Sequence, residues 1–283
     1  MRYLLVGATG NIGARVTQRL IARGDRPSVF VRDAKKAKAL FGDQVEIHVG
    51  DLEKPRSSLA AALTGIDSVF LVTDGPDLDT RDRTVAFAAR SGGVRHVVKL
   101  STLDVHTGVG TGPWHARGEI AVRESGVAFT FIQAAGFMSN GLGWSHAIRD
   151  AGVLRTSTGN GKIAFIHPDD IADVATAALI TRDHDGQSLV ITGPEALSYG
   201  EMAATIGRAI GKHVRFEEIS DQQAYAAVVR WAGKGPYADA LIDIWRAVRE
   251  GRQATVSDGV KQVLGRHPIP FDRWARENAG AFQ

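Results

Sequence analysis

The 283-residue sequence contains no cysteine, which excludes disulfides, thiolate metal sites and cysteine nucleophiles. It also lacks an apolar run of about 18 residues, the length that a membrane-spanning helix needs. The first residues pass from a short apolar segment directly into a glycine-rich turn, without the apolar region and cleavage site of a signal peptide. We therefore expect a cytoplasmic protein that does not cross a membrane and has no metal site.

An excess of charge of one sign is also absent, because 34 Lys and Arg residues stand against 31 Asp and Glu residues, a net charge of +3. Basic residues alternate with acidic ones, as in Arg81-Asp82-Arg83. A nucleic-acid-binding protein normally gathers its Lys and Arg residues on one face. The alternation is typical of solvated helix faces and argues against a nucleic-acid partner.

Six short segments in the first half are apolar at nearly every position, which is typical of strands buried on both faces of a parallel sheet. Ala-rich segments of the length needed for crossover helices separate them. The sequence therefore predicts an α/β fold with a doubly wound parallel sheet. The predicted strands are Tyr3–Gly7, Ser28–Arg32, Val45–Asp51, Ser68–Thr73, His96–Thr102 and Ala128–Ala134, and the helices between them are Ala34–Phe41, Arg56–Leu63, Thr80–Arg90 and Trp114–Glu124.

After about residue 140 the pattern loosens. Ile163–Ile166 and Leu189–Thr192 are further predicted strands, and Pro168–Ile180 is a predicted helix with proline in its first turn. Ser198 and Glu201 have the spacing of a capping box, and the chain from Asp221 onward is mostly helical. We predict one integrated unit with an approximate boundary, a sheet domain over residues 1–150 and a small, mostly helical C-terminal lobe with returning sheet-edge elements over residues 151–283.

The motif GATGNIG at residues 7–13 lies between the first strand and the first helix, the context in which a glycine motif indicates dinucleotide binding. Gly7 permits a tight turn, Gly10 lets the backbone approach a pyrophosphate, and Gly13 allows close packing of helix on strand. The free amides at the helix N-terminus then bind the phosphates. The predicted cofactor-binding residues of this motif are Gly7, Thr9, Gly10, Asn11, Ile12 and Gly13.

The residue that ends the second strand selects the cofactor, because an acid suits the ribose 2′-hydroxyl of NAD and an arginine suits the 2′-phosphate of NADP. Arg32 stands at this end, with Lys35 and Lys36 close behind, so the sequence favours NADPH. Asp33 keeps NADH as the alternative. Two later strand ends supply further predicted cofactor contacts, Asp51 and Leu52 beside the adenine and Thr73 over the cofactor.

With these features in place, the chain resembles the NmrA-like group of atypical short-chain dehydrogenases, which includes NAD(P)H-dependent quinone reductases. The resemblance covers essentially the whole chain and implies a Rossmann-type domain with a small C-terminal substrate lobe. Its later motifs are VVKLST at Val97–Thr102, HARGE at His115–Glu119, SGVAFTFIQAAGFMSN at Ser125–Asn140, HPDDIADVA at His167–Ala175, ITGPEALSYGEMA at Ile191–Ala203, and WARENAGAF near the C-terminus.

Two departures from these relatives concern the chemistry. Ordinary short-chain dehydrogenases protonate a carbonyl oxygen with a Tyr-x-x-x-Lys pair, but none of the tyrosines here has lysine four residues later. An alcohol dehydrogenase of the usual mechanism is therefore disfavoured. The relatives also often have arginine after the sixth strand, where this chain has Gln133, and this difference affects how a substrate is anchored.

A quinone or similar electron-poor ring needs no tyrosine acid, because it accepts hydride directly and delocalises the charge. The protein then has to hold nicotinamide and ring face to face. We predict three catalytic residues. His115 polarises or protonates a substrate oxygen, with Glu119 one helical turn away orienting the imidazole and raising its pKa. Ser101 and Lys99, on the fifth strand, are the other two.

Each of these three residues also has a structural interpretation. His115 and Glu119 can form a local helix pair, Ser101 can tie down the strand end, and Lys99 can be a structural lysine. The resemblance further implies a backbone floor under the nicotinamide and an apolar pocket for a flat ring, whose aromatic residues can equally belong to the core. The floor consists of Ala134, Ala135, Gly136 and Phe137, and the pocket residues are Phe137, Met138, Trp144 and Trp231.

Three functions follow from this combination. The first is an NADPH-dependent reductase of quinone-like or aromatic carbonyl substrates. The second is a non-catalytic NAD(P) redox sensor, which the missing Tyr-Lys pair fits equally well. The third is a tailoring enzyme of aromatic polyketide biosynthesis that gives net monooxygenation through a dihydroquinone. The expected partner is a small aromatic or quinone-like molecule, and the expected assembly is a monomer or homodimer.

Overall fold

The alternating segments of the sequence form strands and helices in the predicted order. The computed structural model describes residues 1–54 and 56–283. Its strands are β1 (Tyr3–Val6), β2 (Ser28–Val31), β3 (Glu46–Val49), β4 (Ser68–Leu71), β5 (His96–Thr102), β6 (Ala128–Ala134), β7 (Val153–Thr156), β8 (Lys162–Ile163), β9 (Ser188–Ile191), β10 (Leu197–Ser198) and β11 (Arg215–Glu218).

The helices of the same residues include every helix predicted from the first half. They are α1 (Asn11–Ala22), α2 (Ala34–Phe41), α3 (Arg56–Ala62), α4 (Leu78–Ser91), α5 (Gly112–Glu124), α6 (Ser145–Ala151), α7 (Pro168–Ile180), α8 (Tyr199–Ile210), α9 (Asp221–Ala232), α10 (Pro236–Arg249), α11 (Gly259–Leu264) and α12 (Phe271–Glu277). Within residues 1–54 and 56–283, no helix has both the length and the apolar character needed to cross a membrane.

Seven of the described strands form one sheet in the order β3-β2-β1-β4-β5-β6-β9. β1 pairs in parallel with β2 on one side and with β4 on the other. The chain therefore reverses its direction of winding between β3 and β4, and this reversal opens a crevice at the carboxyl ends of β1 and β4. The predicted doubly wound parallel sheet is confirmed.

The third strand differs from the prediction of burial on both faces. Every residue of β1, β2 and β4 is buried, whereas Glu46 and Val49 at the two ends of β3 are exposed. The reason is position, because β3 is the edge strand of the sheet as described and pairs only with β2. An apolar strand sequence does not distinguish an edge strand from a central one.

Two compact units can be distinguished by their internal contacts. The first comprises residues 1–102, 114–133 and 171–189, and the second comprises residues 103–113, 134–170 and 190–283. Each unit is therefore assembled from three separate stretches of chain. The single functional boundary near residue 150 stays a prediction.

The first unit has a core made by the central strands and the helices that cover them. Leu4, Val69 and Val97 come from β1, β4 and β5, and they pack with Val85 of α4 and Phe131 of β6. Burial of each such side chain contributes about 1.5–3 kcal/mol relative to its exposure to water. This packing fixes the strand ends on which the candidate functional residues stand.

The second unit packs α8 and α12 around a separate core. Met202 and Ile206 of α8 are fully buried together with Phe271 and Trp274 of α12. α8 begins with the predicted capping box, in which Ser198 Oγ accepts from the Glu201 amide and the Glu201 carboxylate accepts from the Ser198 amide. The short strands β7 and β11, which pair in parallel, were not predicted, because Arg215–Glu218 is largely charged.

The N-terminal turn of α7 anchors the C-terminal segment within the second unit. Asp170 is fully buried, and its carboxylate accepts from Arg266 Nη1 at 2.6 Å and from the Ile269 amide at 2.7 Å. His167 is also buried, with Nδ1 accepting from the Asp169 amide and Nε2 3.1 Å from Glu277 Oε2. His167 and Asp170 of the HPDD motif are therefore structural.

Replacement of Asp170 by alanine should lower the free energy of unfolding by about 2–4 kcal/mol, because it removes the buried carboxylate that accepts from the Ile269 amide and the Arg266 guanidinium. Chemical denaturation measures this change. The control is Asp272→Ala, which removes an exposed ion pair with Arg276 and should cost less than about 0.5 kcal/mol. Equal losses in the two variants would contradict the anchoring role of Asp170.

Candidate functional site

The glycine motif brings the start of α1 into close contact with the end of β1. Gly7 has a φ of 81°, and a Cβ there would lie 2.8 Å from the Val72 carbonyl oxygen. A Cβ on Gly13 would collide with the Gly7 carbonyl. Gly10 is the N-cap of α1 and provides no side chain to accept from the first helical amides. The turn therefore presents bare backbone and free amides at the carboxyl end of β1.

A cleft of about 460 Å³ in the first unit opens onto this turn. It runs from the glycine motif past the ends of β2, β3 and β4. Sequence reasoning predicted Gly7, Thr9, Gly10, Arg32, Asp51, Leu52 and Thr73 as cofactor contacts, and all of them line it. Three other residues of the motif do not line the cleft: Asn11 is exposed on α1, Ile12 is buried in the core, and Gly13 serves the helix–strand contact.

The charges at the far end of the cleft favour an anion. Arg32 and Lys36 both line the cleft. Asp33 does not, because its carboxylate caps α2 by accepting from the Lys36 amide at 3.0 Å. Lys35 lines a separate depression on the other side of α2. The structure therefore selects Lys36 from the two predicted lysines.

Arg81 lines the same cleft and was not predicted. Its guanidinium donates to the Asp74 backbone carbonyl and lies 3.6 Å from Glu53 Oε1, so one acidic side chain moderates its charge. In the sequence it belongs to an alternating Arg-Asp-Arg run that indicates a solvated helix face. Only the packing of α4 beside the end of β4 places Arg81 at the cleft.

A buried ion pair lies behind the end of β4. Lys99 Nζ of β5 is 2.7 Å from Asp82 Oδ2 of α4, and both side chains are inaccessible to solvent. The second Asp82 oxygen accepts from Thr73 Oγ1 at 2.6 Å. Lys99 does not line the cleft, so the prediction that it reaches the cofactor is not supported, and its structural interpretation applies.

A second buried network joins the ends of β5 and β6. Glu119 Oε1 of α5 accepts from Ser101 Oγ at 2.6 Å and from Gln133 Nε2 at 2.9 Å. The prediction that Glu119 orients His115 is therefore wrong, because its carboxylate faces the two strand ends. Gln133, which was noted only as a departure from relatives, is part of the network.

The charge state of His115 also differs from the prediction. Burial, together with the nearby Lys99 ammonium, lowers its pKa to about 3. Its Nδ1 is buried without a hydrogen-bond partner among the residues described. A neutral imidazole can polarise an oxygen through an N–H group, but it has no extra proton to deliver at neutral pH.

The predicted floor and pocket residues belong to the second unit. Ala134 is buried at the end of β6, a Cβ on Gly136 would contact the Phe165 ring, and Phe137 forms an isolated bridge with Ile166. Trp144 is half-buried, with its ring centroid 5.4 Å from that of Tyr199.

Two of the pocket predictions fail within this unit. Met138 is fully buried and belongs to the core, whose gaps its flexible side chain fills. Trp231 is 67% exposed near the end of α9 and packs edge-on against Tyr237 rather than joining the cluster around Trp144. The residue type alone does not show whether a large apolar side chain lies in the core, on the surface or in a pocket.

Comparison with known proteins identifies the family of the chain. The profile of the NAD(P)H-binding family matches residues 7–182. The chain belongs to that family. It is 38% identical over 282 residues to the (4-alkanoyl-5-oxo-2,5-dihydrofuran-3-yl)methyl phosphate reductase of Streptomyces griseus subsp. griseus, covering 99% of this chain and 98% of that protein. It is 37% identical to the NAD(P)H azoreductase of Xenophilus azovorans, covering 99% and 98%.

The fold of the chain is also found in solved structures. The NADPH-dependent quinone oxidoreductase of Escherichia coli, solved in complex with NADPH, superposes with a TM-score of 0.87 at 24% identity, covering 97% of this chain and 99% of that chain. This NAD(P)H-binding protein is thus an NAD(P)H-dependent reductase. Its residues fit the cofactor, because the glycine turn leaves room for a pyrophosphate and Arg32 and Lys36 supply positive charge.

The imidazole of His115 should not titrate between pH 5 and 8. Its pKa of about 3 in the folded protein lies below the ordinary value of 6.5. Between these two values only the unfolded chain binds the proton, so the free energy of unfolding decreases as the pH falls below about 6.5. Imidazole NMR signals recorded from pH 4 to 8, with the His115 signal assigned by its absence in His115→Gln, measure this. A His115 midpoint near 6.5 would contradict the buried, neutral state.

Proposed function

We propose that this reductase transfers hydride from NADPH to conjugated, electron-poor acceptors, with quinones as the first class to test. One observation carries the proposal. The three predicted catalytic side chains are not free to donate a proton: the Ser101 hydroxyl donates to Glu119, the Lys99 ammonium is buried against Asp82, and His115 is neutral. Such a site favours hydride acceptors that delocalise the negative charge they gain, because no side chain supplies a proton to neutralise it.

The names of the relatives support the same chemical class. One is a reductase of a furanone conjugated to an alkanoyl group, one is an azoreductase, and one, 25% identical over 269 residues, is quinone oxidoreductase 2 of Escherichia coli. Unsaturated lactone, azo group and quinone share a conjugated system that spreads added charge onto oxygen or nitrogen. This common property, rather than one substrate, is what we assign to the present chain.

The electron balance needs no further reagent. Bound NADPH supplies a hydride, which is two electrons and one proton, and leaves as NADP⁺. The acceptor gains this hydride and then one proton from water, so a quinone becomes a hydroquinone. The glycine turn and Arg32 hold the cofactor, and the neutral His115 donates a hydrogen bond to an acceptor oxygen as its charge develops.

The assay is NADPH oxidation with menadione and with an azo dye, compared with an unconjugated ketone as the control. Steady turnover with menadione and none with the ketone is the expected result. NADPH binding without turnover on any acceptor would contradict the proposal and favour the redox sensor. Oxygen consumption coupled to hydroxylation of an aromatic product would favour the tailoring enzyme instead.

Arg32 and Lys36 also support a preference for NADPH, because Asp33, the acid that would favour NADH, is used as a helix cap. Arg32→Ala should raise the KM for NADPH by roughly tenfold or more through loss of a charge-assisted contact to the 2′-phosphate, and it should leave the KM for NADH nearly unchanged.

Steady-state kinetics with the two cofactors provides the measurement. Lys35→Ala is the matched control, because it also removes one positive charge, from the helix that follows Arg32, and Lys35 lies outside the cleft. Equal increases in KM for NADPH and NADH in Arg32→Ala would contradict the assignment of Arg32 to the 2′-phosphate.

A further inference from the structure

Thr73 is the residue at which a buried charge network meets the cofactor cleft. Thr73 follows β4 and lines the cleft, and its Oγ1 lies 2.6 Å from Asp82 Oδ1. A carboxylate can only accept hydrogen bonds, so the hydroxyl must donate its single proton to Asp82. The hydroxyl oxygen can therefore offer only lone pairs to a molecule in the cleft.

We propose that Asp82 is a positioning residue for the cofactor, which fixes the Thr73 hydroxyl as a hydrogen-bond acceptor in the cleft. Lys99 keeps the carboxylate in place, since its ammonium lies 2.7 Å from the other Asp82 oxygen. Lys99 thus acts on the cleft through two other side chains and does not reach it directly.

The environment of the ion pair shows that the fold makes space for it. A Cβ on Gly118 of α5 would collide with Asp82 Oδ2 and would lie 2.7 Å from Leu78 Cδ1 and 3.1 Å from Lys99 Cε. The glycine allows α5 to cover the pair and exclude water. A buried pair of this kind is poor evidence for stability, because desolvation opposes the attraction of the charges. A role in orienting Thr73 gives the pair a function that stability alone does not supply.

Because the Thr73 hydroxyl can only accept a hydrogen bond in the cleft, its partner on the cofactor must be a donor. A hydroxyl that only accepts pairs with an O–H or N–H group and not with a phosphate oxygen, which also only accepts. In a dinucleotide, the donors nearest the phosphates in the covalent structure are the ribose hydroxyls. We assign a ribose hydroxyl of the cofactor to Thr73. This assignment rests on cofactor binding and not on the identity of the substrate.

The first test measures the affinity for NADP⁺ by calorimetry in Thr73→Val and Thr73→Ser. Thr73→Val removes the hydroxyl and keeps the branched shape, so we expect the Kd to rise roughly five- to tenfold. Thr73→Ser keeps the hydroxyl and should stay within about twofold of the wild type. The control is Thr84→Val, which removes a hydroxyl bonded to the Thr80 carbonyl on α4, outside the cleft, and should leave the Kd unchanged.

The second test asks whether Asp82 acts through Thr73. Asp82→Leu combined with Lys99→Met replaces both charges by apolar groups of similar size, a change that buried ion pairs often tolerate. This pair of substitutions should raise the Kd and the KM for NADPH several-fold with little change in kcat. Added to Thr73→Val, it should raise the Kd no further, because the hydroxyl that Asp82 orients is already absent.

The outcomes separate this proposal from the proposed function. Wild-type affinity in Thr73→Val, an equal loss in Thr73→Ser, or additive effects of the ion-pair and Thr73 substitutions would overturn the role of Asp82 while wild-type binding stays intact. A Kd unchanged by the ion-pair substitutions, with only the thermal stability altered, would make the pair structural. If the ion-pair variant does not fold, the comparison of Thr73→Val with Thr73→Ser decides alone. Inability of the wild type to bind NADP⁺ would overturn the cofactor site itself.

Discussion

The close contact between the end of β1 and the start of α1 is the constraint on which the site depends. A side chain on Gly13 would strike the Gly7 carbonyl, and one on Gly7 would strike Val72 of the neighbouring strand end. Glycine at these positions lets the helix start against the strand, so that its first amides face the crevice where β1 and β4 diverge. The ends of β2, β3 and β4 then supply the remaining walls of the cleft.

Two buried polar networks lie next to the cofactor cleft and at the ends of β5 and β6. Thr73, Asp82 and Lys99 link the cleft to α4 and β5, and Ser101, Glu119 and Gln133 link the ends of β5 and β6. Each network occupies groups that would otherwise be available as proton donors. The same first unit therefore combines a cofactor cleft with a scarcity of acids, and this combination suits acceptors that carry their own negative charge after hydride transfer.

Sequence reasoning predicted the features that local patterns encode. The strands around the glycine motif, the capping box at Ser198 and the cleft residues Arg32 and Thr73 follow from hydrophobic runs, spacing and known turn geometry. The partners of side chains do not follow from such patterns, because they depend on which helices pack together. His115 and Glu119 have the spacing of an interacting helix pair, yet Glu119 turns to Ser101. The position of Arg81 at the cleft and that of Trp231 on the surface also depend on tertiary packing.

The most direct test of hydride transfer from NADPH to a conjugated acceptor is a single-turnover isotope experiment. The enzyme is loaded with NADPH carrying deuterium at one of the two C4 positions and mixed with menadione, and the loss of NADPH absorbance is followed. We predict a slower reaction for one labelled position and an unchanged rate for the other, because the protein presents one face of the nicotinamide. Oxidation at the same rate with both labels, or no oxidation at all, would contradict direct transfer from a cofactor held in this cleft.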